Sequence, residues 1–162
     1  MKKLSYRLIT AALSIAMAFT TGCSTDCPTL TVEKGCTDPD SENYSPTADI
    51  DNGSCTYEGS VVFWTDETTS AELLKYGVTA LTYYVDGELI GSSAASVYWT
   101  GAPECGQSGS VGVDKFLGRS KTRKYSYEVL DQTGFAAWGG SITFEANTCI
   151  KFHLKGSDAK KK

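Results

Sequence analysis

Methionine is missing from everything after residue 17, and histidine occurs once, at His153. A single imidazole is too few for most zinc sites and for any mechanism that needs more than one histidine. Positive charge is scarce as well: 15 Lys and Arg stand against 19 Asp and Glu. Three of those bases, Lys2, Lys3 and Arg7, precede residue 22, and every acid follows it, so a chain beginning at Cys23 carries 12 bases against 19 acids. An acidic body of this kind argues against nucleic acid as a partner. No apolar run is long enough to span a bilayer, because Leu8 to Phe19 covers only about 18 Å as a helix against a hydrocarbon core of roughly 30 Å. Six cysteines in 162 residues, by contrast, are many for a reducing compartment.

The first 22 residues combine a basic start, that short apolar stretch and small residues, the pattern of a secretory signal. Thr20-Thr21-Gly22-Cys23 resembles the lipobox of bacterial lipoproteins, which implies lipidation at Cys23 after removal of residues 1–22. Thr20 departs from the usual aliphatic residue of that motif. The competing reading is ordinary cleavage near Ala16-Met17-Ala18, with Cys23 left to pair. With lipid attached, the protein is expected on a membrane of the bacterial cell envelope, as an outer membrane lipoprotein. Residues 23–34 read as a polar tether, with Cys27 unassigned.

Between Asp26 and Glu58 there are eight acids and one base, Lys34, whereas residues 59–162 hold 11 of each. The charge imbalance is therefore local to a segment with almost no aliphatic side chains, and something other than burial must order it. A Cys36–Cys55 disulfide is the evident staple for residues 35–57. Asp38, Asp40, Asp49 and Asp51 offer hard oxygen ligands for a weak calcium site. Spacing opposes an EF-hand, since Ile50 and Ala48 fall where acidic or amide residues belong, and solvated acids on a closed loop are the alternative.

The pattern GCTDP, then NY, then DNGSC resembles a short cysteine module of Bacteroidota surface proteins and lipoproteins. The resemblance covers about 22 residues, and it implies the same Cys36–Cys55 pair and an extracytoplasmic spacer or cap.

From residue 58 to 156 the apolar period becomes two, with turn residues at short intervals, as in an all-β domain. Strands are expected at 61–64, 79–85, 89–90, 96–100, 110–116, 124–130, 140–145 and 149–154, with one helical turn capped at Thr69 and an Asp86-Gly87 hairpin. Alternating faces such as Tyr125, Tyr127 and Val129 call for two sheets packed on each other, an immunoglobulin-like or prealbumin-like β-sandwich. The remaining Cys105 and Cys149 are expected to pair as a structural bridge. LTYYVDGELIGSS and the later YSYEVLDQTGFAAWGGSITF resemble the PEGA-type, prealbumin-like sandwich repeats, which implies an envelope binding or spacing module with no catalytic residues to carry over. The Pro-Glu-Gly-Ala signature itself is missing. Residues 157–162 read as a basic tail.

No serine sits in a nucleophile elbow and no glycine run has the setting of a phosphate loop, so the chain reads as no enzyme. Alternation points His153 outward on a basic strip. Trp99 and Trp138, each beside a glycine-rich turn, are the preferred members of an aromatic binding patch for a carbohydrate or an envelope protein, packing within the sheets being the alternative. The expected function is non-catalytic binding or display at the membrane surface; the rival is a structural or assembly subunit of an envelope complex.

Overall fold

A computed structural model describes residues 31–160. The expected signal, Cys23 and its lipid, Cys27, most of the tether and the last two lysines lie outside the described residues.

The acidic segment is closed by the Cys36–Cys55 disulfide, with Cα atoms 4.9 Å apart. Two short strands, β1 (Lys34–Gly35) and β2 (Ile50–Asp51), pair in parallel. With so little to bury, side-chain amides and carboxylates do the bracing. Asn43 donates through Nδ2 to the Ser54 carbonyl and accepts the Thr56 N–H, while Asp51 and Asn52 each accept a backbone N–H two residues on. These are Asx turns, the local bonds that such residues form best. Tyr44, expected as the apolar anchor of this module, is 44% exposed, and Tyr57 is the ring that is buried.

β3 (Tyr57–Trp64) enters the main domain, and α1 (Glu67–Lys75) follows it. The helix starts earlier than the expected cap at Thr69, because Asp66 accepts the Thr69 N–H through Oδ1 at 2.8 Å. A carboxylate at the N-cap satisfies an orphan donor and complements the helix dipole. The helix stops at Tyr76, whose N–H reaches the Glu72 and Leu73 carbonyls, and Gly77 supplies the positive φ beyond it.

β4 (Ala80–Val85) and β5 (Glu88–Ala94) form the expected hairpin, with positive φ at both Asp86 and Gly87 as a type I′ turn requires. β6 (Val111–Gly118), β7 (Thr122–Asp131), β8 (Ala136–Glu145) and β9 (Cys149–His153) complete the strands. One sheet has the order β6-β3-β9 and the other β5-β4-β7-β8. All pairings in these two sheets are antiparallel except β3 with β9, which run parallel with Val61 opposite Ile150 and Trp64 opposite His153.

The sheets share one core. Val61 and Phe63 of β3 lie with Leu81, Tyr83 and Val85 of β4, Val129 of β7 and Ile142 and Phe144 of β8, all buried. Phe63 sits 5.7 Å from the Tyr83 ring, 5.8 Å from Tyr127 and 5.5 Å from Phe152, so one side chain of the smaller sheet meets both sheets. Tyr83 is buried deeply enough that its phenol titrates above the ordinary value, and its hydroxyl is hydrogen-bonded to Ser93.

Three expectations need correction. Residues 96–100 form no strand: they belong to a loop anchored where the Trp99 N–H donates to the Thr65 carbonyl. A β-prone sequence forms a strand only where it pairs along an edge, and this loop bonds at single points instead, the Thr65 hydroxyl also donating to the Val97 carbonyl. The Cys105–Cys149 disulfide and a Lys151–Glu104 ion pair fasten it to β9, and Val62, which alternation turns away from the main core, is fully buried. His153 is not on an open strip but stacked on Trp64, with centroids 3.9 Å apart and planes 9° from parallel, and its Nε2 stands 3.2 Å from Asp66 Oδ2. The expected basic tail contributes structure as far as residue 160: Gly156–Asp158 form a 3-10 turn, and the Lys160 N–H donates to the Ala137 carbonyl at 2.7 Å.

Candidate functional site

The four aspartates proposed for calcium do not converge. Asp38 and Asp40 both meet the Lys121 ammonium, at 2.7 and 2.9 Å, and Asp38 also accepts the Tyr57 hydroxyl at 2.8 Å. Lys121 and then Tyr57 hold the Asp38 carboxyl below the ordinary aspartate value. Asp49 accepts the Glu33 N–H and Asp51 the Gly53 N–H. Each carboxylate is already engaged by a donor of the protein, Asp38 and Asp40 sharing Lys121, and among the described residues no group of three His, Cys, Asp or Glu side chains is arranged to hold a metal ion.

A polar hollow of about 460 Å³ lies beside this module, lined by Asp40, Glu42, Glu58, Asn147 and Thr148 among others. Burial, and then a hydrogen bond from the protonated Glu58 to the Glu42 carboxylate, raises the Glu58 pKa. Two neighbouring carboxyls make a poor site for an anion.

The two tryptophans named from sequence part company. Trp138 is 3% exposed, and its indole N–H donates to the Lys155 carbonyl at 3.0 Å. It is a core residue that pins the C-terminal segment, not a ligand platform. Gly139 and Gly140 beside it lie within β8 rather than in a turn, and a Cβ on Gly140 would press on the Tyr127 ring at 3.2 Å. Trp99 is half-buried in the disulfide-bound loop, next to exposed Val97 and Tyr98.

A larger cleft lies elsewhere. It measures about 570 Å³ and lies among the C-terminal end of α1, the turn between β7 and β8, and residues 156–160. Leu73, Val78, Phe135, Ala137 and Ala159 give it an apolar lining, and Tyr76, 69% exposed, is its most accessible ring. Its walls are held by dedicated bonds. Gln132 clamps the chain after α1, donating to the Gly77 carbonyl and accepting the Thr79 N–H. Asp131 shapes the β7–β8 turn by accepting from the Thr133 N–H, the Thr133 hydroxyl and the Phe135 N–H. The Gly156 N–H donates to Thr69 Oγ1, which brings the C-terminal segment against α1. A concave, partly apolar site with a few polar side chains on braced walls is the usual form of a small-ligand site. The sequence signals only fragments of it, since its three segments, 72–78, 131–137 and 156–160, are apart in the chain and each alone reads as a cap, a turn or a tail.

No family model matches this chain, and no solved structure matches it. Among curated proteins, it is 64% identical over 28 residues to ribulose bisphosphate carboxylase/oxygenase activase, chloroplastic, of Spinacia oleracea, a stretch that is 17% of this chain and 6% of that protein. The chain thus matches a small part of that protein's length, and a similarity of this extent assigns it to no family.

Proposed function

We propose that this protein is a non-catalytic lipoprotein of the bacterial cell envelope, anchored through Cys23, whose β-domain binds a ligand in the cleft bounded by α1, the β7–β8 turn and the C-terminal segment. In this reading the domain is an immunoglobulin-like or prealbumin-like sandwich. Seven strands in two sheets around one core, with β3 and β9 joined in parallel, support that architecture. The two disulfides support maturation in an oxidising compartment. The braced cleft, with Tyr76 exposed in its lining, is the observation that carries the binding role.

Two measurements test the proposal. Intact mass of the chain purified from a bacterial host should show acylation at Cys23 and a four-hydrogen gain on reduction; an unacylated species overturns the anchor. Amide shifts of the labelled protein, titrated with small sugars, short peptides and simple carboxylic acids, should cluster at residues 72–78, 131–137 and 156–160. Shifts confined to other surfaces overturn the cleft.

A second reading, assembly by strand addition, has its own support in β8. Among the described residues this ten-residue strand pairs on one side only, and the C-terminal segment reaches just its beginning at Ala137. An exposed edge is a template for another strand. Replacing Thr143 with proline should then abolish a complex seen by light scattering while leaving cleft shifts unchanged; persistence of the complex counts against the edge.

A further inference from the structure

The lining of the cleft points to the chemistry of its occupant. Of its ionisable side chains, Asp131 is 6% exposed and already accepts three hydrogen bonds, so it belongs to the turn. Gln132 has both ends of its amide engaged with the backbone around Gly77. That leaves Glu72 and Lys160, both exposed, and neither forms an ion pair among the described residues. One is an acceptor only and the other a donor only. Glu72 rests against Gly156, where any Cβ would overlap its carboxylate, so the absence of a side chain at residue 156 makes the room that Glu72 occupies.

Three ligand classes fit poorly. A wholly apolar ligand would strip water from the Glu72 and Lys160 charges without replacing it. An anionic ligand meets Glu72 with the Asp131 carboxylate also in the lining, and a cationic one meets Lys160. A neutral molecule that is apolar on one face and dense in hydroxyls at its edges avoids all three mismatches. Tyr76 suits the apolar face. Its backbone is fixed at the helix terminus, and a tyrosine side chain offers a large amphipathic surface for the loss of only two torsions. A hydroxyl both donates and accepts, so one polyol edge serves Glu72 and another Lys160.

We propose that the cleft binds a neutral oligosaccharide, with Tyr76 as its stacking platform and Glu72 and Lys160 as the groups that hydrogen-bond its hydroxyls. This rests on the cleft reading given above. The test is an array of short neutral oligomers of glucose, xylose, mannose and N-acetylglucosamine beside uronate and sulfated oligomers, probed with the purified full chain. At least one neutral oligomer should bind. Tyr76→Ala should weaken it about tenfold or more, the scale of an aromatic anchor, and Tyr76→Phe should retain it. Tyr76 is exposed, so an unchanged melting midpoint shows that the variants remain folded. Preference for uronate or sulfated oligomers over every neutral one overturns the proposal, as does neutral binding indifferent to Tyr76→Ala. Amide titration separates the two failures. Cleft shifts with another ligand class and none with neutral sugars refute the sugar and leave the cleft standing, whereas no cleft shift with any class refutes both.

Discussion

The Lys121 ammonium lies 2.7 Å from Asp38 Oδ2 and 2.9 Å from Asp40 Oδ2, and joins the disulfide-closed acidic segment to the turn between β6 and β7. The Tyr57 ring, 5.7 Å from the same nitrogen, supplies a cation–π face, and its hydroxyl completes the set by donating to Asp38. Local charge excess in one part of the chain is thus used to seat it on another.

Replacing Lys121 with methionine should release that seat. Amide exchange should quicken at residues 36–44 while the sheets keep their protection, and added salt should narrow the difference from wild type, since exposed pairs are screened. The acid limb has a definite sign. The Asp38 carboxyl titrates below its ordinary 3.8 when folded, so its contribution is present above that value and is lost as pH falls through the lower folded one. Wild type and Lys121→Met should therefore converge in strong acid. Equal exchange at neutral pH would show that the bridge holds nothing.

The two disulfides close loops of different length, with sequence separations of 19 and 44. Removing Cys36–Cys55 by paired alanines should cost about 3 kcal/mol, and removing Cys105–Cys149 about 4 kcal/mol, on the chain-entropy account. The first loss should appear as local opening of the acidic segment. The second should lower the urea midpoint of the whole β-domain, because that bridge ties the loop to β9, a strand of the smaller sheet. A midpoint unmoved by the second change would mean that the loop is held by its other bonds alone.

Two glycines make a paired test. A Cβ on Gly59 would overlap the Glu145 carbonyl, where backbone faces backbone, so Gly59→Ala should cost at the upper end of the roughly 1–3 kcal/mol typical of overpacking. A Cβ on Gly156 would overlap only the Glu72 carboxylate, the far end of a flexible side chain. Gly156→Ala should stay within about 0.5 kcal/mol, as surface changes do, while displacing Glu72 from the cleft. Chemical denaturation of both variants decides whether yielding side chains and unyielding backbone separate as stated.

Trp138→Phe removes the donor to the Lys155 carbonyl while keeping an aromatic ring in the core. The stranded acceptor should cost about 1–3 kcal/mol, and exchange should rise at residues 155–160 before anywhere else. Protection there equal to wild type would transfer the docking of that segment to the Lys160–Ala137 bond alone.

Features written in adjacent residues were legible in the sequence. Asp86-Gly87 specifies its own turn, and the spacing of cysteines left few sensible pairs. Other errors share one cause, which is that alternation gives direction without giving neighbours. His153 does face away from Ile150 and Phe152, but register with β3 brings Trp64 alongside and covers it. Residues 96–100 have strand-forming composition but bond to the sheet only through Thr65, at the Trp99 N–H and the Val97 carbonyl. Trp138 borders glycines that proved to be strand residues packed against Tyr127. Asp38 and Asp40 looked like ligands for a cation and found one in Lys121, eighty residues away, a partner that no local pattern discloses. The cleft was invisible for the same reason, being assembled from a helix end, a hairpin and a terminal segment.

The parallel pairing of β3 with β9 sets an order of events. Strand β3 enters the domain first, yet one of its two neighbours is β9, so one of its hydrogen-bonding edges stands vacant until residues 149–153 have emerged. A ribosome or translocation channel delivering this chain from its N-terminus cannot have the domain close stepwise behind it. Completion waits on β9, and a product truncated before Cys149 forfeits both that strand and the thiol that would lock it.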